Sequence, residues 1–263
     1  MALRDLWEGK EATLGGWCAI PSGFSAELMG RSGFDWVCVD TQHGLIGYDQ
    51  LVPMLQSLSI TDTPAFVRVP WNQPDHIMKA LDAGAQGVIV PMVGTVGEAQ
   101  RAVSAARYPP EGIRSWGPTR AAIDVPDYSP EVGNRRTIVV VMIETRDGVK
   151  NLDDILDVPG VDGVYLGPSD LALDHGMTPT LNVTEPEHEQ LIETVVDGCQ
   201  RHGVRAGIHC DRVETVRRWR ARGFGMFTVG SDAVLLLHAA SAVVASAFGS
   251  ETEVAGVEAT AYA

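Results

Sequence analysis

Two acidic residues, Glu144 and Asp170, stand 26 positions apart, and each follows a strand-like apolar run, Ile138–Ile143 and Gly163–Ser169. One strand–helix–strand unit needs roughly this length, so we expect both carboxylates at the same end of neighbouring parallel strands. That is the end where α/β proteins hold their active sites. Two adjacent oxygen ligands with room for water or substrate suit Mg²⁺ or Mn²⁺. The alternative for Asp170, which precedes Leu-Ala-Leu, is a helix N-cap without chemistry.

A basic residue and an acid–imidazole pair stand at other strand ends. Arg68 lies in an apolar run, where a buried guanidinium needs an anion, either a structural carboxylate or a substrate. Asp40 and His43 are three residues apart, and an Asp can hold an imidazole in one tautomer and raise its basicity. A capping role for a loop histidine is the alternative. His209, alone at a strand end, is typical of a structural histidine.

The remaining charged residues favour metal chemistry over lysine chemistry. The three lysines, Lys10, Lys79 and Lys150, all lie away from the predicted strand ends. A Schiff-base mechanism needs a lysine there, so a metal would have to serve as the electron sink. Asp82 ends a predicted helix, where a negative charge is unfavourable, and this indicates a partner outside its own helix.

Eight strand-like runs alternate with helical patterns, with no linker between them. Eight such units in one chain predict an α/β fold of the (β/α)₈ TIM-barrel type, formed by residues 1–249. A doubly wound open sheet fits the count nearly as well, but no GxGxxG follows the first strand. Residues 250–263 are expected to form a mobile tail. The predicted strands are 15–20, 35–40, 65–69, 87–91, 137–143, 163–166, 205–209 and 225–229. The predicted helices are 25–31, 48–57, 74–83, 96–106, 148–157, 185–201, 212–222 and 232–248.

Composition excludes several classes of protein. The net charge of -14 argues against nucleic acid and anionic membrane surfaces as partners. The four cysteines have no metal-ligand spacing and are expected to be buried free thiols. The N-terminus has no signal-peptide pattern, and the longest apolar stretch, Ala233–Phe248, is shorter than the ~20 residues of a membrane helix. A cytoplasmic location is the simplest expectation.

Eight segments, spread in order over most of the chain, together resemble the HpcH/HpaI aldolases. These are class II, metal-dependent pyruvate aldolases typified by 4-hydroxy-2-oxoheptanedioate aldolase. The matching segments are Gly33–Val37, Asp40–Gly44, Val67–Pro70, Ala80–Gly87, Val90–Val93, Arg107–Ser115, Ile143–Thr145 and Gly160–Leu171.

The resemblance implies a role for each matching site residue. Glu144 and Asp170 would ligate a divalent metal, Mg²⁺, Mn²⁺ or Co²⁺. Arg68 would contact the keto oxygen of pyruvate and stabilise its enolate. His43, paired with Asp40, would be the acid/base group.

Substrate binding and assembly are also implied. The segment Gly167, Ser169 and Asp170 would bind the pyruvate carboxylate, with the backbone N–H groups of Ser169 and Asp170 at a helix start. Asp82 would reach the active site of a neighbouring subunit in a homo-hexamer that exchanges C-terminal helices. Ala233–Phe248, apolar on nearly every face, fits such an exchange, and an ordinary eighth barrel helix is the alternative.

The implied activity is reversible cleavage of 4-hydroxy-2-oxo acids to pyruvate and an aldehyde through a metal-stabilised enolate. Alternatives are an oxaloacetate-type decarboxylase, a citrate-lyase-β-like lyase of CoA esters, and a catalytically silent barrel that binds keto acids. The few lysines and the acidic balance count against a CoA site. Two departures from the family pattern, Gln42 in place of Glu and Met142 in place of Gln, bear on which acceptor aldehyde is preferred.

Overall fold

The computed structural model describes residues 2–248. Its eight strands are all parallel and form a closed barrel in chain order, β1 to β8, with β8 pairing back to β1. The predicted TIM barrel is therefore confirmed, and the open doubly wound sheet is excluded. The strands are β1 Thr13–Cys18, β2 Trp36–Asp40, β3 Ala65–Arg68, β4 Gly87–Val90, β5 Ile138–Met142, β6 Gly163–Leu166, β7 Arg205–Cys210 and β8 Met226–Val229.

The helices of the described residues follow the predicted order, with a few differences. One predicted helix over 148–157 is split in two, because Asn151 leaves the helical conformation and its side-chain amide donates to the Gly94 carbonyl. Three short helices, α1, α6 and α9, were not predicted. The helices are α1 Leu3–Gly9, α2 Gly23–Arg31, α3 Tyr48–Ser59, α4 Pro74–Asp82, α5 Val96–Ala106, α6 Pro130–Arg136, α7 Arg146–Lys150, α8 Leu152–Leu156, α9 Pro168–Asp174, α10 Pro186–His202, α11 Val213–Ala221 and α12 Asp232–Phe248.

The barrel interior is packed with large side chains that need glycines opposite them. A Cβ on Gly15 would come within 2.4 Å of the Trp36 ring, and one on Gly207 within 2.8 Å of the Tyr165 ring. A second core lies between the barrel and its helices. The inner cluster comprises Leu3, Leu6, Trp7, Trp17, Trp36, Cys38, Phe66, Ile89, Ile138, Val140, Met142, Tyr165 and Met226.

Helix α1 closes the amino end of the barrel. Leu3, Leu6 and Trp7 belong to the inner cluster. Trp7 packs over Gly163 at the start of β6, and Leu3 packs over Gly87 at the start of β4. The opposite, carboxyl end of the strands is left open for a site.

Helix α12 carries apolar side chains that the barrel does not cover. Leu236, Val243 and Val244 are each more than half exposed. Such a surface is typical of a contact between proteins, and exchange of this helix between subunits stays a prediction. Between residues 2 and 248, no helix has the length and apolar character to cross a membrane. The predicted mobile tail, 250–263, lies outside the described residues.

Candidate active site

A buried ion pair joins β2 to β3 at the carboxyl end of the barrel. The parallel register sets Asp40 beside Arg68. The guanidinium Nε donates to Asp40 Oδ1 at 2.9 Å and Nη2 donates to Oδ2 at 2.6 Å. Asp40 is fully buried and Arg68 is 9% exposed. Burial alone would raise the pKa of Asp40, but the charge and hydrogen bonds of Arg68 outweigh it and lower this pKa. The anion that Arg68 needed is therefore a structural carboxylate.

Asp40 binds the backbone of the following loop and not the imidazole of His43. Its Oδ1 accepts from the N–H groups of Gln42 at 3.0 Å and His43 at 3.3 Å, and its Oδ2 accepts from Trp17 Nε1 at 3.2 Å. The expected side-chain pairing of Asp40 with His43 is thus wrong for this structure, because other donors already fill both carboxylate oxygens. His43 itself is exposed at the mouth of the barrel.

Glu144 is a buried carboxylate in which only one of the two oxygens accepts a hydrogen bond. It lies two residues beyond β5 and is 1% exposed. Its Oε1 accepts from the backbone N–H of Met92 at 2.8 Å, while its buried Oε2 has no hydrogen-bond partner. Burial, and then repulsion by Asp170, raises the pKa of Glu144 to about 7, against the opposing effects of the Met92 N–H and Arg68. A cation beside Oε2 would compensate for this burial and repulsion.

Asp170 stands next to Glu144 on the neighbouring strand–helix junction. Gly167 is the N-cap of α9, and Asp170 is the third residue inside the helix, so the N-cap alternative for Asp170 is wrong. A Cβ on Gly167 would lie 2.5 Å from Glu144 Oε2. Glycine at this position is what lets the acid approach the helix start.

The two acids fit a divalent metal that retains other ligands. Among residues 2–248, no group of three or more His, Cys, Asp or Glu side chains could hold an ion. Mg²⁺ is commonly bound by one or two carboxylates, with water and substrate completing the octahedron. The unpartnered Oε2 of Glu144 beside Asp170 suits that pattern. None of the three lysines lines the hollow at this end of the barrel.

The hollow beside these acids gathers most of the predicted site residues. It holds about 30 Å³, and its walls include the side chain of Ser169, whose buried Oγ has no partner. Arg68 uses Nε and Nη2 on Asp40, which leaves Nη1 without a protein partner in the described chain. The lining residues are Trp17, His43, Arg68, Met142, Tyr165, Gly167, Pro168, Ser169, Asp170, Leu181 and His209.

Asp82 is not brought to this hollow within its own barrel. It ends α4 at the opposite, amino end of the strands and accepts from Arg114 Nη2 at 2.6 Å. The partner outside its helix that the sequence indicated is therefore Arg114. Burial raises the pKa of Asp82 although Arg114 opposes this. A larger cavity of about 500 Å³, lined by Arg114 and Arg120, lies at that end, far from the paired acids.

Sequence reasoning missed two aromatic residues that line the hollow, Trp17 and Tyr165, and the buried Thr228 hydroxyl that contacts Tyr165. Trp17 stacks on Tyr165 with ring centroids 5.7 Å apart. The rings of Trp17 and His209 are perpendicular, and their centroids lie 5.3 Å apart. His209, expected to be structural, lines the hollow. Tyr165 and Thr228 sit in apolar strands, where only the inward direction of alternate side chains could have marked them.

Comparisons with known proteins identify the family of this chain. The HpcH/HpaI aldolase/citrate lyase family matches residues 15–239. A hydroxypyruvate/pyruvate aldolase of Rhizorhabdus wittichii is 39% identical over 93% of this chain and 98% of the relative. A 4-hydroxy-2-oxo-heptane-1,7-dioate aldolase of Salmonella paratyphi B is 36% identical over 97% of each chain. The solved structure of a family protein from Burkholderia cenocepacia matches with a TM-score of 0.86 and 28% identity, over 93% of this chain and 97% of that one. The chain therefore belongs to the HpcH/HpaI aldolase/citrate lyase family.

Proposed function

We propose that this protein is a divalent-metal-dependent aldolase that reversibly cleaves 4-hydroxy-2-oxo acids to pyruvate and an aldehyde. The observation that carries the proposal is the buried, unpartnered Oε2 of Glu144 beside Asp170. The names of the two aldolase relatives support the reaction class.

Glu144 and Asp170 would hold the metal, with Mg²⁺, Mn²⁺ or Co²⁺ as candidates. When bound, such an ion supplies Lewis-acid stabilisation of the negative charge that develops on a 2-oxo acid. The backbone N–H groups of Ser169 and Asp170, in the first turn of α9, have no acceptor in the helix and are available for the substrate carboxylate.

Arg68 is positioned to stabilise the enolate. Its guanidinium is fixed by the two hydrogen bonds to Asp40. Nη1 can therefore face the keto oxygen with no free-energy cost of reorientation during the reaction. In cleavage, the bond between C3 and C4 breaks and its electron pair becomes the enolate of pyruvate. Protonation at C3 then completes pyruvate.

His43 is the proposed proton carrier. It lines the hollow at the mouth, where an acceptor aldehyde would enter. In cleavage it takes the proton of the 4-hydroxyl group as C4 becomes an aldehyde carbon, and in synthesis it returns that proton. Asp40 contributes by fixing the backbone of the His43 loop and the guanidinium of Arg68.

A direct test uses purified protein with pyruvate, a panel of aldehydes and each candidate metal. We expect exchange of the pyruvate methyl protons and aldol products, both lost in EDTA and restored by metal. Trapping of a pyruvate adduct by borohydride would contradict the mechanism. Decarboxylation of oxaloacetate without any aldol reaction would favour the decarboxylase alternative, and turnover of CoA esters alone would favour the citrate-lyase-like one.

We also propose that the barrels assemble, as the hexamer that the resemblance implies, with α12 at the contact and Asp82 reaching a neighbour's site. The exposed apolar side chains of α12 support the contact. Light scattering should give a mass of about six times 28.2 kDa. Mixing inactive Asp82→Ala with inactive Glu144→Gln subunits should restore part of the activity. A monomer that is fully active would exclude both parts, and an oligomer without complementation would exclude the shared site.

A further inference from the structure

Three side chains from three strands form a hydrogen-bonded chain inside the barrel. Tyr165 on β6 and Thr228 on β8 are joined by a short contact between their hydroxyl oxygens. His209 on β7 places Nδ1 at 2.9 Å from Thr228 Oγ1 and at 3.3 Å from the Tyr165 hydroxyl. Tyr165 and Thr228 are buried, while His209 lines the hollow.

The number of donors and acceptors in this chain decides the tautomer of His209. The Tyr165 hydroxyl contacts only Thr228 and His209 among the described residues. If Nδ1 carried the proton and donated to Thr228, the Thr228 hydroxyl would have to donate to Tyr165. The buried phenol proton would then have no acceptor, which is unfavourable. If Nδ1 donated to Tyr165 instead, Tyr165 would donate to Thr228, and the Thr228 proton would have no acceptor among the described residues. The opposite order, in which Tyr165 donates to Thr228 and Thr228 donates to Nδ1, satisfies every group.

This order leaves the proton of the imidazole on Nε2. Nε2 has no protein partner in the described chain, and Nδ1 is turned toward the hydroxyls, so Nε2 is the nitrogen available to the hollow. Burial, followed by the charge of Arg68, lowers the pKa of His209 to about 4, against a weaker opposite effect of Asp40. At neutral pH the ring is therefore uncharged and can give one hydrogen bond.

We propose that His209 presents a fixed Nε2–H donor to the hollow and selects acceptor aldehydes that carry a hydroxyl group beside the reacting carbonyl. This inference rests on the proposed function. The carbonyl oxygen itself is assigned to His43, so the second donor requires a second oxygen. An uncharged donor favours a hydroxyl over a carboxylate, which would leave a charge unpaired. A substrate without that oxygen leaves the N–H unsatisfied, which is how polar sites reject deoxy analogues.

The tautomer can be measured without any activity. Nitrogen NMR of histidine-labelled protein, with the His209 signals assigned by their loss in His209→Leu, should show a protonated Nε2 and an unprotonated Nδ1 at neutral pH. Tyr165→Phe with Thr228→Val removes both hydroxyl donors and should abolish this preference. A protonated Nδ1 in the wild-type protein would overturn the inference whether or not the protein is an aldolase.

Specificity is measured as the ratio of kcat/KM for glycolaldehyde to that for acetaldehyde, each added to pyruvate. We expect His209→Leu to lower this ratio about tenfold or more, and His209→Gln, whose amide N–H can reach the position of Nε2, to restore part of it. His202→Leu, at the far end of α10, is the control and should leave the ratio unchanged. An unchanged ratio in an active His209→Leu enzyme would overturn the inference. If the wild type uses neither aldehyde but turns over others of the panel, the proposed acceptor preference is overturned, whereas the proposed function fails only if no aldehyde reacts with pyruvate.

Discussion

Glu144→Gln is expected to lower kcat/KM for cleavage about a thousandfold or more while the barrel stays folded. The amide can still accept from the Met92 N–H, so the local structure is kept, but the anionic oxygen beside Asp170 is lost. Charge stabilisation of a developing enolate is worth several kcal/mol, and a tenfold change in rate corresponds to about 1.4 kcal/mol. Glu187→Gln, on the exposed first turn of α10, is the matched control. Near wild-type turnover in Glu144→Gln would remove this residue from the reaction.

The same substitution should change how stability depends on pH. The folded protein raises the pKa of Glu144 from 4.5 to about 7, through burial first and Asp170 second. Between these values the native state binds more protons than the unfolded chain, so stability falls as pH rises through this window. The loss amounts to at most about 3 kcal/mol. Urea unfolding in EDTA at about pH 5 and about pH 8 should show this decline in the wild type and a smaller one in Glu144→Gln. An equal decline of stability with pH in the two proteins would contradict the raised pKa of Glu144.

Asp40→Ala is expected to destabilise the fold by about 3–5 kcal/mol, because it leaves the buried guanidinium of Arg68 without its anion. It also removes the acceptor of two backbone N–H groups and of Trp17 Nε1. The control is Asp153→Ala, which breaks exposed contacts with Arg201 and His202 and should cost less than about 1 kcal/mol. Denaturant unfolding measures both. Equal, small losses would show that the buried pair adds little to stability.

Arg68→Lys separates the structural part of this pair from its chemistry. A lysine keeps a positive charge near Asp40 but cannot make two parallel hydrogen bonds and also leave a donor for the substrate. We expect a folded protein that has lost most exchange of pyruvate methyl protons. Exchange at the wild-type rate would show that Arg68 acts only on Asp40.

The sequence predicted most of the architecture because each strand and helix carries its own local pattern. Val96–Ala106 was predicted to the residue, because this helix begins and ends where its apolar periodicity does. The start of α12 at Asp232 was also predicted. The break at Asn151 was missed, because it depends on a hydrogen bond to Gly94 in another element. α1 is too short for a periodic signal, although it fills the barrel end.

The site was harder to predict because its partners come from different strands. Spacing along the chain favoured a pairing of Asp40 with His43, whereas the register of β2 on β3 sets Arg68 against Asp40. Likewise, Tyr165, His209 and Thr228 are far apart in sequence and meet only when the barrel closes. The pairing register of the barrel strands, and not the spacing along the chain, determines which charged and polar groups become neighbours.

Helix α1, which seals the amino end of the barrel, has a consequence for the order of events during turnover. With that end filled by Leu3, Leu6 and Trp7, the hollow lies at the carboxyl end of the strands, where His43 is exposed. Under the proposed function, pyruvate would lie innermost, against the paired acids, and the aldehyde would lie nearer the mouth of the barrel, beside His43. The aldehyde must then leave before pyruvate in cleavage and arrive after it in synthesis. Under the proposed function, the closed amino end would thus impose a fixed order of substrate binding and product release at the carboxyl end.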